Sequence, residues 1–139
     1  KYKLNNIIAI TDRNNIQIDG PTEMIMPLEN LRDKWEAFGW HVLEIDGNDV
    51  EAVFETAQKM VESARNGEGT SFLEAKTYRW KEHWGPGEYW NLGYRSKEEG
   101  DFWKALCPIK RLEAKLLDQF YKPEELQSIL RRRSQWKKS

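Results

Sequence analysis

The sequence contains little of what disulfide, membrane or nucleic-acid chemistry requires. It has one cysteine, Cys107, and a formal net charge of -1 over 139 residues. A single cysteine excludes an internal disulfide framework and a thiolate metal cluster. No apolar run approaches the roughly 20 residues that cross a bilayer, and a nearly neutral chain has no overall field that would attract nucleic acid or an anionic membrane. We therefore expect a soluble protein of a reducing compartment, the cytoplasm or, in a eukaryote, the mitochondrial matrix.

Predicted strands and helices alternate along the first part of the chain. Strands are predicted over residues 6–11, 40–45 and 70–77, and helices over residues 29–38 and 50–65. The first strand is nearly all apolar and β-branched, which is typical of a strand covered on both faces. The alternation predicts an α/β fold, in which helices cover both faces of a parallel sheet. Because almost nothing precedes the first strand, we expect part of the domain to lie upstream.

The rest of the chain combines an aromatic segment, residues 79–98, with three predicted helices. The segment holds Trp80, Trp84, Tyr89 and Trp90. So many aromatic side chains favour a functional loop over a disordered one. The helices are predicted over residues 97–106, 109–120 and 123–135. We interpret residues 1–139 as one partial domain, composed of a βαβαβ part (1–78), the aromatic active-site loop (79–98) and C-terminal helices (99–139).

Polar residues follow the first and third predicted strands, at the positions where α/β folds bind ligands. The first set is residues 12–16, which include Asn14, and the second begins at Tyr78 and reaches His83. An asparagine amide oxygen and a nearby backbone carbonyl are hard, neutral donors. Mg²⁺ takes such donors when phosphate oxygens and a carboxylate supply its other ligands. By composition alone, however, an asparagine-rich strand exit is more often an ordinary turn.

Residues 3–20, with the sequence KLNNIIAITDRNNIQIDG, resemble the second half of the thiamine-diphosphate signature of transketolases. The first half of that signature starts with Gly-Asp-Gly and is expected upstream. The resemblance continues through Pro27-Leu28, Lys34-Trp35, Phe38-Gly39-Trp40 and residues 45–49. From Glu74 onward the chain resembles the alpha subunit of 2-oxo-acid dehydrogenases, at residues 74–79, His83, residues 94–99 and residues 108–112. Both families belong to one superfamily, and together the two resemblances cover nearly the whole chain.

The resemblance implies a thiamine-diphosphate-binding fold and roles for three residues. Asn14 matches the asparagine that ligates magnesium, and Ile16 matches the residue whose backbone carbonyl completes the protein ligands. His83 matches the histidine that contacts the cofactor diphosphate and assists at the reacting centre, so it is the expected catalytic residue. His41 has no comparable match, and we interpret it as structural.

The implied reaction is decarboxylation of a 2-oxo acid on thiamine diphosphate, followed by transfer of the acyl unit to lipoamide. The implied partners are a second copy of the chain, a beta-type subunit, or both, in a dimer or heterotetramer. A lipoyl acyltransferase core and the upstream half of the domain complete the set. In such enzymes the beta chain supplies the glutamate that activates the aminopyrimidine, and the Gly-Asp-Gly half supplies the aspartate ligand. We therefore expect the isolated chain to bind the cofactor weakly or not at all.

Three positions depart from the pattern of the alpha subunits. Trp84 stands where some mitochondrial members carry a regulatory serine, so phosphorylation control is not expected there. Cys107 replaces the common aspartate before a Pro-Ile pair. Arg13 is one position out of step with the basic residue of many alpha subunits, which leaves its contact with the phosphates open.

Two alternative functions are compatible with the sequence. A transketolase subunit would transfer two-carbon ketol units between sugars, but it would carry a Lys-Gly-Lys-Gly-like run where residues 76–81 read KTYRWK. A non-catalytic interaction fragment would use the aromatic segment and the C-terminal helices to hold a partner, since large exposed apolar patches usually mark interfaces. The basic runs Arg131-Arg132-Arg133 and Lys137-Lys138 on a nearly neutral chain are typical of a solvated helix end, and they do not favour a nucleic-acid site.

Overall fold

The computed structural model describes residues 2–18 and 20–135, apart from the side chains of Tyr89, Leu92 and residues 133–135. Asp19 of the transketolase-like stretch and the Lys137-Lys138 pair therefore lie outside the described residues. Within the described ranges, no helix is both long and apolar enough to span a membrane.

The elements follow one another in the order that the sequence predicts, with three short additions. They are β1 (Ile8–Arg13), β2 (Ile16–Gln17), β3 (Gly20–Pro21), α1 (Thr22–Ile25), α2 (Leu31–Ala37), β4 (His41–Asp46), α3 (Val50–Asn66), β5 (Ser71–Lys76), a 3-10 helix (Tyr89–Leu92), α4 (Lys97–Ala105), α5 (Pro108–Gln119) and α6 (Pro123–Gln135). The additions are the β2–β3 hairpin and α1, which are too short to leave a periodic signal in the sequence.

A three-stranded parallel sheet organises the fold. Its strand order is β1-β5-β4, and β5 is hydrogen-bonded to a parallel strand on each side. The three strands end together, because Lys76 pairs with Arg13 on one side and with Asp46 on the other. We call this end of the sheet the carboxyl edge. The predicted α/β fold with a parallel sheet is thereby confirmed.

The core is centred on β5, whose residues are buried from Ser71 to Ala75. Phe72 and Leu73 are each 1% exposed, and alternation along the strand points them to opposite faces of the sheet. Phe72 stacks on Trp35 of α2, with ring centroids 4.1 Å apart. Met60 of α3 is also fully buried, and α3 packs on all three strands. Burial of each such side chain contributes about 1.5–3 kcal/mol.

Local sequence signals set both ends of α3. The Asp49 carboxylate accepts hydrogen bonds from the amides of Glu51 and Ala52, both at 3.1 Å, and thereby caps the first turn. The same two bonds lower the pKa of Asp49, with the bond from Ala52 as the larger cause. At the other end Gly67 takes a φ of 70°, a left-handed conformation that glycine adopts readily. These two signals explain why the sequence predicts this helix to within one residue.

The aromatic segment is packed on its own chain. Trp90 lies against Gly100 of α4, where an added Cβ would stand 2.3 Å from the indole. A glycine inside a helix usually costs about 1 kcal/mol relative to alanine, and here it makes room for the ring. Glu88 pairs with Lys81 of the segment at 2.6 Å and with Lys104 of α4 at 3.2 Å. Trp90 is thus committed to an internal contact, which corrects its assignment to a partner surface, whereas Trp84 remains 84% exposed.

Arg13 is buried and paired with two carboxylates. Its guanidinium lies 2.7 Å from Glu23 of α1 and 3.7 Å from Glu74 of β5. The side chains of Arg13 and Glu74 are only 10% and 7% exposed. This pairing answers the question left open by the sequence, because Arg13 is engaged inside the fold.

This ion pair gives a prediction for stability. Arg13→Met should destabilise the intact protein by about 3–5 kcal/mol, because it leaves the Glu74 carboxylate buried without that cation. Adding Glu74→Gln should recover most of the loss, since a neutral amide is far less costly to bury. The measurement is the urea concentration at half-unfolding for each variant.

The matched control is Arg32→Met, which breaks the exposed Arg32–Glu36 pair. An exposed pair of this kind contributes at most about 1 kcal/mol. Equal losses in Arg13→Met and Arg32→Met would contradict the assignment of Arg13 to a structural ion pair.

Candidate functional site

The chain exits from β1 and β5 are joined at the carboxyl edge. The amide of Thr77 donates to the carbonyl of Arg13 at 3.3 Å, which extends the ladder by one residue. The hydroxyl of Thr77 donates to the carboxylate of Asp12. Asn14 and the aromatic segment therefore leave the sheet at one edge, as expected from the parallel arrangement.

Asn14 begins a tight turn, residues 14–16, which we call the asparagine turn. Its amide oxygen accepts a hydrogen bond from the amide of Ile16 at 3.1 Å, and Asn15 adopts a left-handed φ of 59°. The side-chain nitrogen of Asn14 lies 3.5 Å from the Asp12 carboxylate. These contacts fix the orientation of the Asn14 amide group. Because an amide oxygen has two lone pairs, it can accept this bond and still ligate a cation.

Ile16 anchors the far end of the asparagine turn. Its side chain is buried, and the residue pairs with Pro21 in the β2–β3 hairpin. The amide of Thr22 donates to the carbonyl of Asn15 at 3.0 Å, which closes the hairpin from the other strand. The backbone of the turn is thus held by a hairpin that the sequence analysis did not predict.

His83 lies in the aromatic segment, seven residues beyond the end of β5. The side chain is exposed, and its ring packs edge-on against Trp84 at 5.1 Å between centroids. Nη1 of Arg79 lies 3.5 Å from Nδ1 of the imidazole. An arginine can only donate, so this contact requires an unprotonated Nδ1 and leaves the proton of the neutral ring on Nε2.

Two arginines of the same segment place positive charge at the carboxyl edge. Nη2 of Arg95 donates to the carbonyl of Asn14 at 2.5 Å, and its guanidinium lies 4.3 Å above the ring of Tyr78. Burial lowers the pKa of Arg79, and the neighbouring charge of Arg95 lowers it further. Both effects show that the two guanidinium groups are close and partly withdrawn from water. An anion at this edge would relieve their repulsion.

Tyr78 supports this cluster from below. The residue is buried, and its ring stacks on Trp103 of α4 with centroids 5.5 Å apart. Burial raises the pKa of the Tyr78 phenol, so the ring stays neutral at physiological pH. Tyr78 thus gives the arginines a neutral aromatic platform on which a guanidinium packs favourably.

His41 occupies the opposite end of the sheet. It pairs with Ser71 at the start of β4, and its Nε2 lies 3.3 Å from the carbonyl of Glu68. The structure thus brings Asn14, Ile16 and the base of the aromatic segment to one edge, and places His41 at the other. The contact from Arg95 to Asn14 spans 81 residues, and no local signal in the sequence indicates it.

Comparison with known proteins identifies the family. The model of the dehydrogenase E1 component family matches residues 2–135. The alpha chain of the pyruvate dehydrogenase E1 component of Porphyra purpurea is 37% identical over 126 residues, which are 88% of this chain and 35% of that protein. The first of the apulose-4-phosphate transketolase subunits of Phocaeicola vulgatus is 40% identical over 84 residues, 53% of this chain and 30% of that protein.

A third relative is named for a different substrate. The alpha chain of the 3-methyl-2-oxobutanoate dehydrogenase of Mycobacterium tuberculosis is 31% identical over 112 residues, 81% of this chain and 30% of that protein. The chain spans about a third of the length of the curated relatives it matches. With nearly every described residue matched by the family model, and with parallel strands that deliver two polar exits to one edge, the chain belongs to the dehydrogenase E1 component family.

Proposed function

We propose that this chain forms the magnesium-binding and diphosphate-contacting part of a thiamine-diphosphate enzyme, most closely the alpha subunit of a decarboxylating 2-oxo-acid dehydrogenase. The observation that carries the proposal is the shared edge. The asparagine turn and the base of the aromatic segment leave neighbouring parallel strands at the carboxyl edge, in a chain of the dehydrogenase E1 component family. When bound, thiamine diphosphate supplies the electron sink that lets carbon dioxide leave a 2-oxo acid.

The donors of the asparagine turn fit a magnesium ion held together with phosphate. The side-chain oxygen of Asn14 and the backbone carbonyl of Ile16 are neutral, so they leave the charge of Mg²⁺ to be balanced by anions. Asp12 is the nearest carboxylate in sequence, but it already accepts from Thr77 and lies against the amide nitrogen of Asn14. We therefore assign the carboxylate ligand to the part of the protein that precedes this chain, in agreement with the expected Gly-Asp-Gly half.

His83 and Arg79 suit the contact with anionic oxygens. The Arg79 contact leaves Nε2 of His83 as the ring's proton donor, and the exposed imidazole can present that proton to a phosphate or to a reacting group. Arg79 and Arg95 add positive potential close by. His83 thus acts as the hydrogen-bond donor to the diphosphate and as the catalytic residue at the reacting centre.

The dehydrogenase assignment is favoured over the transketolase alternative by the extent of similarity. The pyruvate dehydrogenase relative matches 88% of the chain, and the transketolase relative matches 53%. We propose a partial cofactor-binding domain over residues 1–139, with residues 79–98 as the active-site loop. Both relatives are named as one subunit of a larger enzyme, which supports assembly with a second kind of chain. A beta-type chain and a lipoyl acyltransferase core are the partners that this reaction requires.

Removal of the asparagine ligand should weaken magnesium binding. In the intact protein, Asn14→Ala should raise the half-saturating Mg²⁺ concentration for activity by about tenfold or more, because Mg²⁺ tolerates few departures from its ligand geometry. The matched control is Asn5→Ala, which removes an asparagine near the amino-terminal end of the sheet that bonds to the carbonyl of Gly67. A magnesium titration in which both variants behave alike would contradict the assignment of Asn14.

Removal of the histidine should lower turnover. His83→Ala should reduce the rate of 2-oxo-acid decarboxylation by at least about a hundredfold, the lower end of what a positioned acid-base group contributes. The assay follows several 2-oxo acids with an artificial electron acceptor, in parallel with a ketol-transfer assay on sugars.

The control for this change is His41→Ala, at the opposite end of the sheet, which should retain nearly full activity. Parental turnover in His83→Ala in both assays would show that the catalytic assignment is wrong. Ketol transfer without decarboxylation in the parent would favour the transketolase alternative.

A further inference from the structure

Arg95 connects the end of the aromatic segment to the asparagine turn. Its side chain is 9% exposed, although it belongs to a residue that precedes α4 at the protein surface. One end of the guanidinium donates to the carbonyl of Asn14 at 2.5 Å. The plane of the group lies over Tyr78, and Nε lies 3.8 Å from Glu99. A single buried side chain therefore holds together β1, β5 and α4 at the carboxyl edge.

A second contact is made by the preceding residue. The ring of Tyr94 lies 3.9 Å from the point where a Cβ on Gly20 would stand. Gly20 opens β3, the hairpin strand that pairs with Ile16 and Gln17. Consecutive residues of the segment thus touch the asparagine turn and the hairpin that supports it. This is an independent sign that the end of the segment is seated on the turn.

The bond from Arg95 fixes a different part of the turn from the part that the Asn14 side chain fixes. The side-chain oxygen of Asn14 is held by the Ile16 amide. The backbone carbonyl of Asn14 belongs to the peptide that leads into Asn15, which has a left-handed φ of 59°. Such a conformation is uncommon for a residue with a side chain. A charge-assisted hydrogen bond to this carbonyl sets the plane of that peptide, and hence the direction in which the turn continues to Ile16.

We propose that Arg95 is a positioning residue for the magnesium site, which holds the asparagine turn in the geometry that lets Asn14 and Ile16 ligate together. The role in metal binding rests on the proposed function of the turn, whereas the positioning of the turn does not. Arg95 itself does not touch the metal. It acts through the peptide between Asn14 and Asn15.

Arg111 provides a matched comparison at the same edge. Like Arg95, it donates from one helix region to a backbone carbonyl in a strand exit, here Asn48 at 3.3 Å. It also pairs with Asp46 at 3.0 Å. Loss of Arg111 should therefore loosen the exit of β4 and leave the asparagine turn unchanged.

The first test is hydrogen exchange in the intact protein without metal or cofactor. Arg95→Met should speed exchange at the Ile16 amide by about tenfold or more, since hydrogen bonds to charged groups are among the stronger ones. Arg111→Met should speed exchange around residues 46–50 and keep the parental rate at Ile16. If Arg95→Met speeds exchange only within residues 78–96, Arg95 merely supports Tyr78 and the inference is overturned.

The second test is a titration with Mg²⁺ in the presence of thiamine diphosphate. Arg95→Met should raise the half-saturating Mg²⁺ concentration by about tenfold, because the ligands are no longer held in place. At saturating Mg²⁺ its turnover should return to near the parental value, since Arg95 takes no part in the reaction. An unchanged half-saturating concentration would overturn the inference.

Arg95→Lys covers the case in which Arg95→Met does not fold. Lysine keeps a cationic donor but lacks the planar group that stacks on Tyr78 and fixes the donor direction. Both effects should then be smaller than tenfold but measurable, and parental values of both would overturn the inference. A parent protein that needs no divalent metal would refute the proposed function, while the exchange result at Ile16 would still decide whether Arg95 positions the turn.

Discussion

The parallel register between β1 and β5 is the constraint on which the rest of the structure depends. Ile8 pairs with Ser71, and the ladder runs without interruption to Arg13 and Lys76. A slip of one residue would turn every side chain of β1 to the opposite face of the sheet. The buried side chains of β5 resist such a slip, because Phe72 and Leu73 fill the core on the two faces. Two exits far apart in sequence are therefore obliged to meet.

Strand alternation also divides the charges at the end of β1. Asp12 and Arg13 are neighbours, but they point to opposite faces. Arg13 turns inward and pairs with Glu74 and Glu23. Asp12 is exposed and accepts from Thr77 across the strand exits. The positive charge near the asparagine turn therefore comes from the aromatic segment, through Arg79 and Arg95. The turn supplies neutral donors and the segment supplies cations, which is a suitable pairing for a metal-bound phosphate.

Much of the fold could be predicted from the sequence, because local signals coincide with the tertiary arrangement. The helix α3 has a carboxylate cap, an apolar stripe and a terminating glycine. The position of Asn14 follows from a buried strand that ends in polar residues. Elements of two residues escaped prediction, because an alternating pattern needs greater length to be recognised. The hairpin that supports Ile16 belongs to this group.

The contacts that complete the candidate site could not be predicted, because they join residues far apart in sequence. The bond from Arg95 to Asn14 depends on the way α4 and Tyr78 pack together. The place of Trp90 depends on a glycine in the middle of α4, which the sequence alone marks only as an unfavourable helix residue. An arginine that pairs internally and an arginine that reaches a ligand also look alike in sequence, and Arg13 illustrates the first case.

The central claim is that Asn14 and His83 serve one metal-cofactor site at the carboxyl edge, and paramagnetic relaxation tests it directly. Mn²⁺ would replace Mg²⁺ in the intact protein with thiamine diphosphate bound, and the histidine ring signals would be assigned through His83→Gln and His41→Gln. The account predicts strong broadening of the His83 signal and little change at His41, which lies at the other end of the sheet. Equal broadening of the two signals, or broadening of His41 alone, would contradict a shared site at this edge.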